Sequence, residues 1–233
     1  MLERIREFNT LSIPYPIYQS FQNEEPRKVF SGYEKIDGEP FWNKTFLQIN
    51  EEECLQRLVV QLAQFLKELH QIPLHQFEDI LQSETVDSFS EMDNLYSQLK
   101  EHVFPFVRDD ARKSISASFE SHLSEKIHFE FTPCLVHGDF GMTNILYSSV
   151  KKEISGVIDF GGVSIGDPAY DFAGILSSYR EKFLRRFSTE YPDLDMVIER
   201  MHFYKSTFAL QEALFGILNR DKQAFEQGIK EYV

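Results

Sequence analysis

Apolar residues recur at three- and four-residue spacing from Leu55 through Leu58, Leu62 and Leu66 to Leu69. That spacing lays one stripe along a helix. Asn50 with Glu53 three residues on reads as a capping box, and Glu51, Glu52 and Glu53 suit the positive end of a helix. The helix is predicted to run to about His70 and to stop near Pro73. Ahead of it, "MLERIREFNTL" reads as a short helix ended by "SIPYP", where two prolines force extended backbone. "IYQSF" and "RKVFSGYEKI" read as strands around the polar turn "QNEEP", and "DGEPF" turns the chain again. Two further helices are predicted, from Ser90 to Phe106 and from about Asp109 to Ile127.

The pattern then changes period. "CLV" is a short strand, "HGDFGMTN" a loop, "ILY" a second strand, "SSVKKE" a polar turn and "ISGVIDF" a third strand. After "GGVSIGDP", helical spacing returns over Tyr170 to Ser177, near Arg180 to Phe187 and over Met196 to Leu218, with a last helix starting near Asp221. The fold class is therefore α+β, mostly helical, with a β-rich start and a small β insert that carries the polar motifs.

Composition narrows the functional classes. At 233 residues, 42% hydrophobic and with 22 Phe, the chain is long and apolar enough for a substantial core. The start is charged and no apolar segment follows it as in an export signal, and no apolar run approaches membrane-spanning length. A net charge of −13, from 37 acidic and 24 basic residues, disfavours nucleic acid and is compatible with a cationic ligand. Solubility alone explains it equally well. Cys54 and Cys134 sit in no metal-ligand or disulfide pattern, so both read as structural thiols. A reducing compartment, the cytoplasm, fits them.

The candidate chemistry lies in the loop and at the third strand's end. Asp139 follows Gly138, Asn144 comes five residues later, and Asp159 ends "GVIDF". A hairpin through "SSVKKE" can return Asp159 to Asn144. Phosphoryl transfer needs a carboxylate to orient the acceptor hydroxyl and take its proton, and hard oxygen ligands for magnesium. Asp139 is the candidate base, and Asn144 and Asp159 the candidate ligands. His137 reads as a brace for the loop backbone. Asp167 reads as a cap for the helix after Pro168, Asp171 as a partner for loop backbone, and His70 as a structural contact.

Taken together, "HGDFGMTNIL" and "GVIDFGGVSIGDPAYDFA" resemble the aminoglycoside phosphotransferase family, among the kinase-like small-molecule phosphotransferases. The resemblance covers about residues 26–233 and implies a protein-kinase-like fold. It implies Asp139 as catalytic base and Asn144 and Asp159 as magnesium ligands. The stretch "YEKIDGEPF" resembles the inter-lobe hinge, where main-chain groups near Glu34 and Ile36 would meet the base of ATP or GTP. The implied reaction moves the γ-phosphate of a nucleoside triphosphate to a hydroxyl of a small, cationic molecule such as an aminoglycoside.

One departure stands out. The family normally has a glycine-rich hairpin over the phosphates and a strand lysine paired with a helix glutamate. Here the first glycine is Gly32, inside the hinge strand, and the only earlier lysine is Lys28. The expected organisation is a shortened nucleotide lobe with hinge over residues 1–37 and a helical lobe over residues 38–233. Weak nucleotide binding, low turnover and self-association through an open sheet edge follow from it. The alternative is a non-catalytic, pseudokinase-like protein that binds a small molecule or a partner protein.

Overall fold

The computed structural model describes residues 1–20, 29–81, 87–192 and 194–233. The predicted turn "QNEEP" and Lys28 lie outside the described residues. In chain order the main elements are α1 (Leu2–Phe8), β1 (Pro16–Ser20), β2 (Phe30–Tyr33), β3 (Glu39–Pro40), α2 (Asn43–Phe46) and α3 (Glu52–His70). Then come α4 (Ser88–Gln98), α5 (Asp109–Ser124), β4 (Cys134–Val136), β5 (Ile145–Ser148), β6 (Glu153–Val157) and β7 (Ser164–Gly166). The last are α6 (Ala169–Ser178), α7 (Glu181–Leu184), α8 (Leu194–Asn219) and α9 (Lys222–Ile229). Among the described residues, no helix is long and apolar enough to cross a membrane.

The chain divides into two compact units, Met1–Ser83 with Pro133–Ile198, and Glu84–Thr132 with Glu199–Val233. The first unit is built on α3. Leu58, Leu62, Leu66 and Leu69 are buried as the stripe requires, with Val59, Ala63 and Phe65 widening it. Phe65 stacks on Phe140 of the motif loop, with ring centroids 5.4 Å apart. Gln61 clamps β6: its Nε2 donates to Ile154 O at 3.2 Å and its Oε1 accepts from Ile154 N at 2.9 Å.

The sheets of this unit are small and antiparallel. β1 pairs with β2, β5 lies between β3 and β6, and β4 pairs with β7. β5 and β6 form the hairpin expected through the "SSVKKE" turn, with Ile145 opposite Val157. Ser12 bridges to Gly156, and Val157 N donates to Ser12 O at 2.9 Å, so the segment after α1 is tied to β6.

The second unit packs α4, α5, α9 and the later turns of α8. Tyr96 stacks on Phe119 at 5.0 Å, Phe119 meets Phe203 edge-on, and His122 lies flat on Phe203 at 3.6 Å. His122 is 4% exposed. Burial, with the nearby charges of His128 and Arg200, lowers its pKa to about 4 and keeps the ring neutral.

Several boundaries differ from the sequence reading. The capping box does not form: the helix cap is Glu51, whose side chain makes no capping bond, and Asn50 Nδ2 instead donates to Gln48 O at 3.3 Å. The helix expected over Ser90 to Phe106 stops at Gln98 and continues as a wider turn (Leu99–Val103) and a tighter one (Phe104–Phe106), where Pro105 removes a backbone donor. β3 and β7 replace segments read as turn and loop. Both are two- or three-residue strands whose pairing partners lie over 25 residues away in sequence, so no local periodicity marks them.

Candidate active site

The motif loop joins β4 to β5, and most of its main-chain N–H groups have a partner. His137 N and Gly138 N donate to the carboxylate of Asp171, at 2.8 and 3.0 Å. Asp139 N donates to His137 Nδ1 at 3.3 Å. Gly141 N donates to Asp139 O, and Asn144 N and Ile145 N both donate to Gly141 O. Gly138 has φ +80°, and a Cβ there would lie 2.2 Å from Gly162 O. Only glycine fits, for both reasons.

This arrangement gives His137 a defined role. Its Nδ1 accepts from Asp139 N, so its Nε2 carries the hydrogen and donates to Ile158 O at 3.1 Å. Burial lowers its pKa, outweighing the nearby carboxylates and the Ile158 carbonyl. A neutral ring with both nitrogens committed is a strut between the loop and residue 158, as the sequence reading has it, and not a base.

Asp139 and Asp159 are exposed, whereas Asn144 is 6% exposed. Asn144 Nδ2 donates to Asp139 Oδ2 at 2.7 Å and to Asp139 O at 2.9 Å. The amide therefore turns its Oδ1 away from Asp139. Asn144 O accepts from Ile158 N at 2.9 Å, which sets Asp159 directly beyond that bond. Asp159 has φ 63° and ψ 68°, a left-handed conformation that aspartate tolerates better than most residues, and its Oδ1 accepts from Gly161 N at only 3.4 Å. Strained backbone of this kind collects at functional sites. The loop and the strand end thus bring Asp139, Asn144 and Asp159 into one neighbourhood.

Asp171 holds this neighbourhood from beneath. It is fully buried on α6 and also accepts from His70 Nε2 at 3.1 Å, while His70 Nδ1 meets Tyr191 Oη at 3.2 Å. Burial would raise the Asp171 pKa, but the hydrogen bonds it accepts from the His70 ring and from the backbone of the loop prevail and hold it below the ordinary carboxylate value. Asp167 accepts from Ala169 N at 3.0 Å, at the start of α6. Cys134 is buried among these groups, and burial pushes its thiol pKa up. Both cysteines are unpaired and buried.

Glu34 and Ile36 lie elsewhere in the same unit. They follow β2 and line a recess of about 720 Å³ with Asn9, Ser12, Tyr15 and Ser155. Asp139, Asn144 and Asp159 are not in its lining. Among the described residues, residues 34–36 carry no main-chain hydrogen bond outside the strands. No group of three or more His, Cys, Asp or Glu side chains among the described residues is arranged to hold a metal ion. A site with two protein oxygen ligands remains chemically suited to magnesium, which keeps several waters and takes phosphate oxygens as well. Asn144 Oδ1 and the exposed Asp159 carboxylate are hard oxygen donors of the kind magnesium takes.

Comparison with known proteins agrees with this architecture. Viomycin phosphotransferase of Streptomyces vinaceus is 34% identical over 137 residues, 58% of this chain and 47% of that protein. The match thus spans about half the length of this curated relative. The GDP complex of wild-type aminoglycoside 2'-phosphotransferase-IIIa superposes with a TM-score of 0.86 at 24% identity, over 98% of this chain and 77% of that one. The GDP and kanamycin complex of APH(2")-IIia gives 0.87 at 24% identity, over 99% and 78%. At these identities the two structures establish the kinase-like fold. The profile of the phosphotransferase enzyme family matches residues 1–204, and the chain belongs to that family.

Proposed function

We propose that this protein transfers the γ-phosphate of a nucleoside triphosphate to a hydroxyl of a small, cationic molecule. The observation that carries the proposal is the linked pair of contacts at Asn144: its side chain orients Asp139, and its carbonyl holds the backbone next to Asp159. In the reaction the acceptor hydroxyl gives its proton to the Asp139 carboxylate as its oxygen bonds to the γ-phosphorus. The bond from that phosphorus to the bridging oxygen breaks, and the nucleoside diphosphate leaves. Asn144 Oδ1 and Asp159 would hold magnesium, which when bound neutralises charge on the phosphate oxygens. Main-chain groups of Glu34 and Ile36 would receive the nucleobase.

The acceptor class rests on the acidic balance of −13 and on the relatives. One relative phosphorylates viomycin by name, and one similar structure holds kanamycin and GDP. A small cationic alcohol or aminoglycoside fits both. Two buried, unpaired thiols suit the cytoplasm.

The test combines calorimetry with transfer assays. Asp139→Asn should abolish transfer, by about a thousandfold or more, and leave magnesium–nucleotide binding within twofold. Asp159→Ala should weaken that binding about tenfold or more. If neither ATP nor GTP binds at millimolar concentration, this reading fails.

A further inference from the structure

The motif loop rests along one face of α6, and only part of that contact involves Asp171. Residues 171, 174 and 178 are three and four apart and so share a face. At the first, Asp171 takes the N–H groups of His137 and Gly138. At the second, Gly174 lets the loop come close: a Cβ there would lie 2.5 Å from Phe140 O. At the third, Ser178 Oγ accepts from Met142 N at 2.9 Å. Ser178 is 4% exposed, and its Oγ would be 3.3 Å from a Cβ on Gly141.

Ser178 is also where α6 ends. Tyr179 is extended, with φ −130° and ψ 179°, so the helix stops there. Asn43 Nδ2 donates to Ser178 O at 2.8 Å. Tyr179 Oη donates to Phe41 O at 2.7 Å, and Phe41 N donates to Ile145 O at 2.8 Å. The short segment after β3 is thereby joined to the end of α6 and to the start of β5. The Ser178 hydroxyl carries that frame into the turn between Asp139 and Asn144. The Met142 N–H thus goes to α6, whereas the N–H groups of Gly141 and Asn144 are satisfied within the loop itself.

We infer that Ser178 is a positioning residue for the loop, setting Asn144 and through it the Asp139 carboxylate by way of the Met142 N–H. Its consequence for catalysis rests on the phosphotransfer reading, but its effect on the loop does not. Asp171 anchors the loop's first half and Ser178 its second. Without the second anchor the turn at 141–144 is held by its own short-range bonds and, at its far end, by the Ile158 N–H on Asn144 O.

Two measurements separate the inference from the reading it rests on. In the unaltered protein, amide hydrogen exchange should be slower at Met142 than at its half-exposed loop position suggests, and Ser178→Ala should speed it about tenfold. Exchange at Gly138, held by Asp171, should stay the same. In transfer assays Ser178→Ala should lower kcat about tenfold with the nucleotide KM within twofold, a split that general destabilisation does not give. An unprotected Met142 amide in the unaltered protein overturns the inference, and that arm needs no variant to fold. Equal exchange in Ser178→Ala, or lost protection with kcat unchanged, overturns it too. If the unaltered protein transfers no phosphate, the phosphotransfer reading fails while the exchange result still decides the role of Ser178.

Discussion

Two regions of the first unit treat their backbone in opposite ways. In the motif loop, side chains of His137, Asp171 and Ser178 take main-chain N–H groups one after another, and the buried carboxylate at their centre is held charged by its donors. Around Glu34 and Ile36 the backbone of residues 34–36 has no such partners among the described residues, and two polar atoms in the same recess, Asn9 Oδ1 and Ser155 Oγ, are buried without a hydrogen bond. The contrast separates a pre-set scaffold from a stretch of backbone, with two buried polar atoms nearby, that makes no such bonds. Chemistry that must not reorganise during the reaction belongs on the first kind.

Substitutions can break or sharpen this comparison. The largest effect on stability is expected at the centre of the scaffold. Asp171→Ala leaves the N–H groups of His137 and Gly138, and His70 Nε2, without their acceptor. The expected cost is about 3–5 kcal/mol, read as a fall in the denaturant midpoint. A cost below about 1 kcal/mol would show the scaffold to be far looser than its bonds suggest.

Acid should act next. A histidine whose pKa is lowered on folding stays neutral while its unfolded counterpart takes a proton, so stability falls as pH drops below about 6.5. His137 and His122 both behave in this way, and for His122 the fall continues to about pH 4. Asp171 has the depressed carboxylate's sign: its contribution is present above the ordinary carboxylate pKa and is lost only as pH falls through its own lower value. Denaturation midpoints should therefore decline between pH 6.5 and 4, with a slope of at most about 1.4 kcal/mol per pH unit for each histidine. A flat profile over that range would mean that the two rings are not held neutral.

The smallest effect is expected in the recess. Ser155→Ala removes a buried hydroxyl that makes no bond, so stability should hold or rise, by about 1 kcal/mol at most. A loss as large as that at Asp171 would erase the contrast between the regions.

The chemical groups were legible in the sequence because their spacing is local. Asp139 and Asn144 lie within one turn-rich loop, and a six-residue polar turn is enough to fold Asp159 back beside them. The α3 stripe was legible for the same reason, since helical periodicity is a property of neighbours. What escaped notice depended on partners far along the chain. β7 exists only because β4 offers it an edge. Ser178, one residue past the predicted end of its helix, has no sequence signal until the loop is seen lying against it.

Residue type and short spacing alone determined that the side-chain oxygens of Asp139, Asn144 and Asp159 fall at a loop and a strand end. Only the folded chain decided how those atoms are held. Asp171 meets His70 across 101 residues and His137 across 34, and Ser178 meets Met142 across 36. Hydrogen bonds over such separations arise from packing: the sequence suggested loop backbone as the partner of Asp171 but not which N–H groups it takes, and it gave no sign of Ser178.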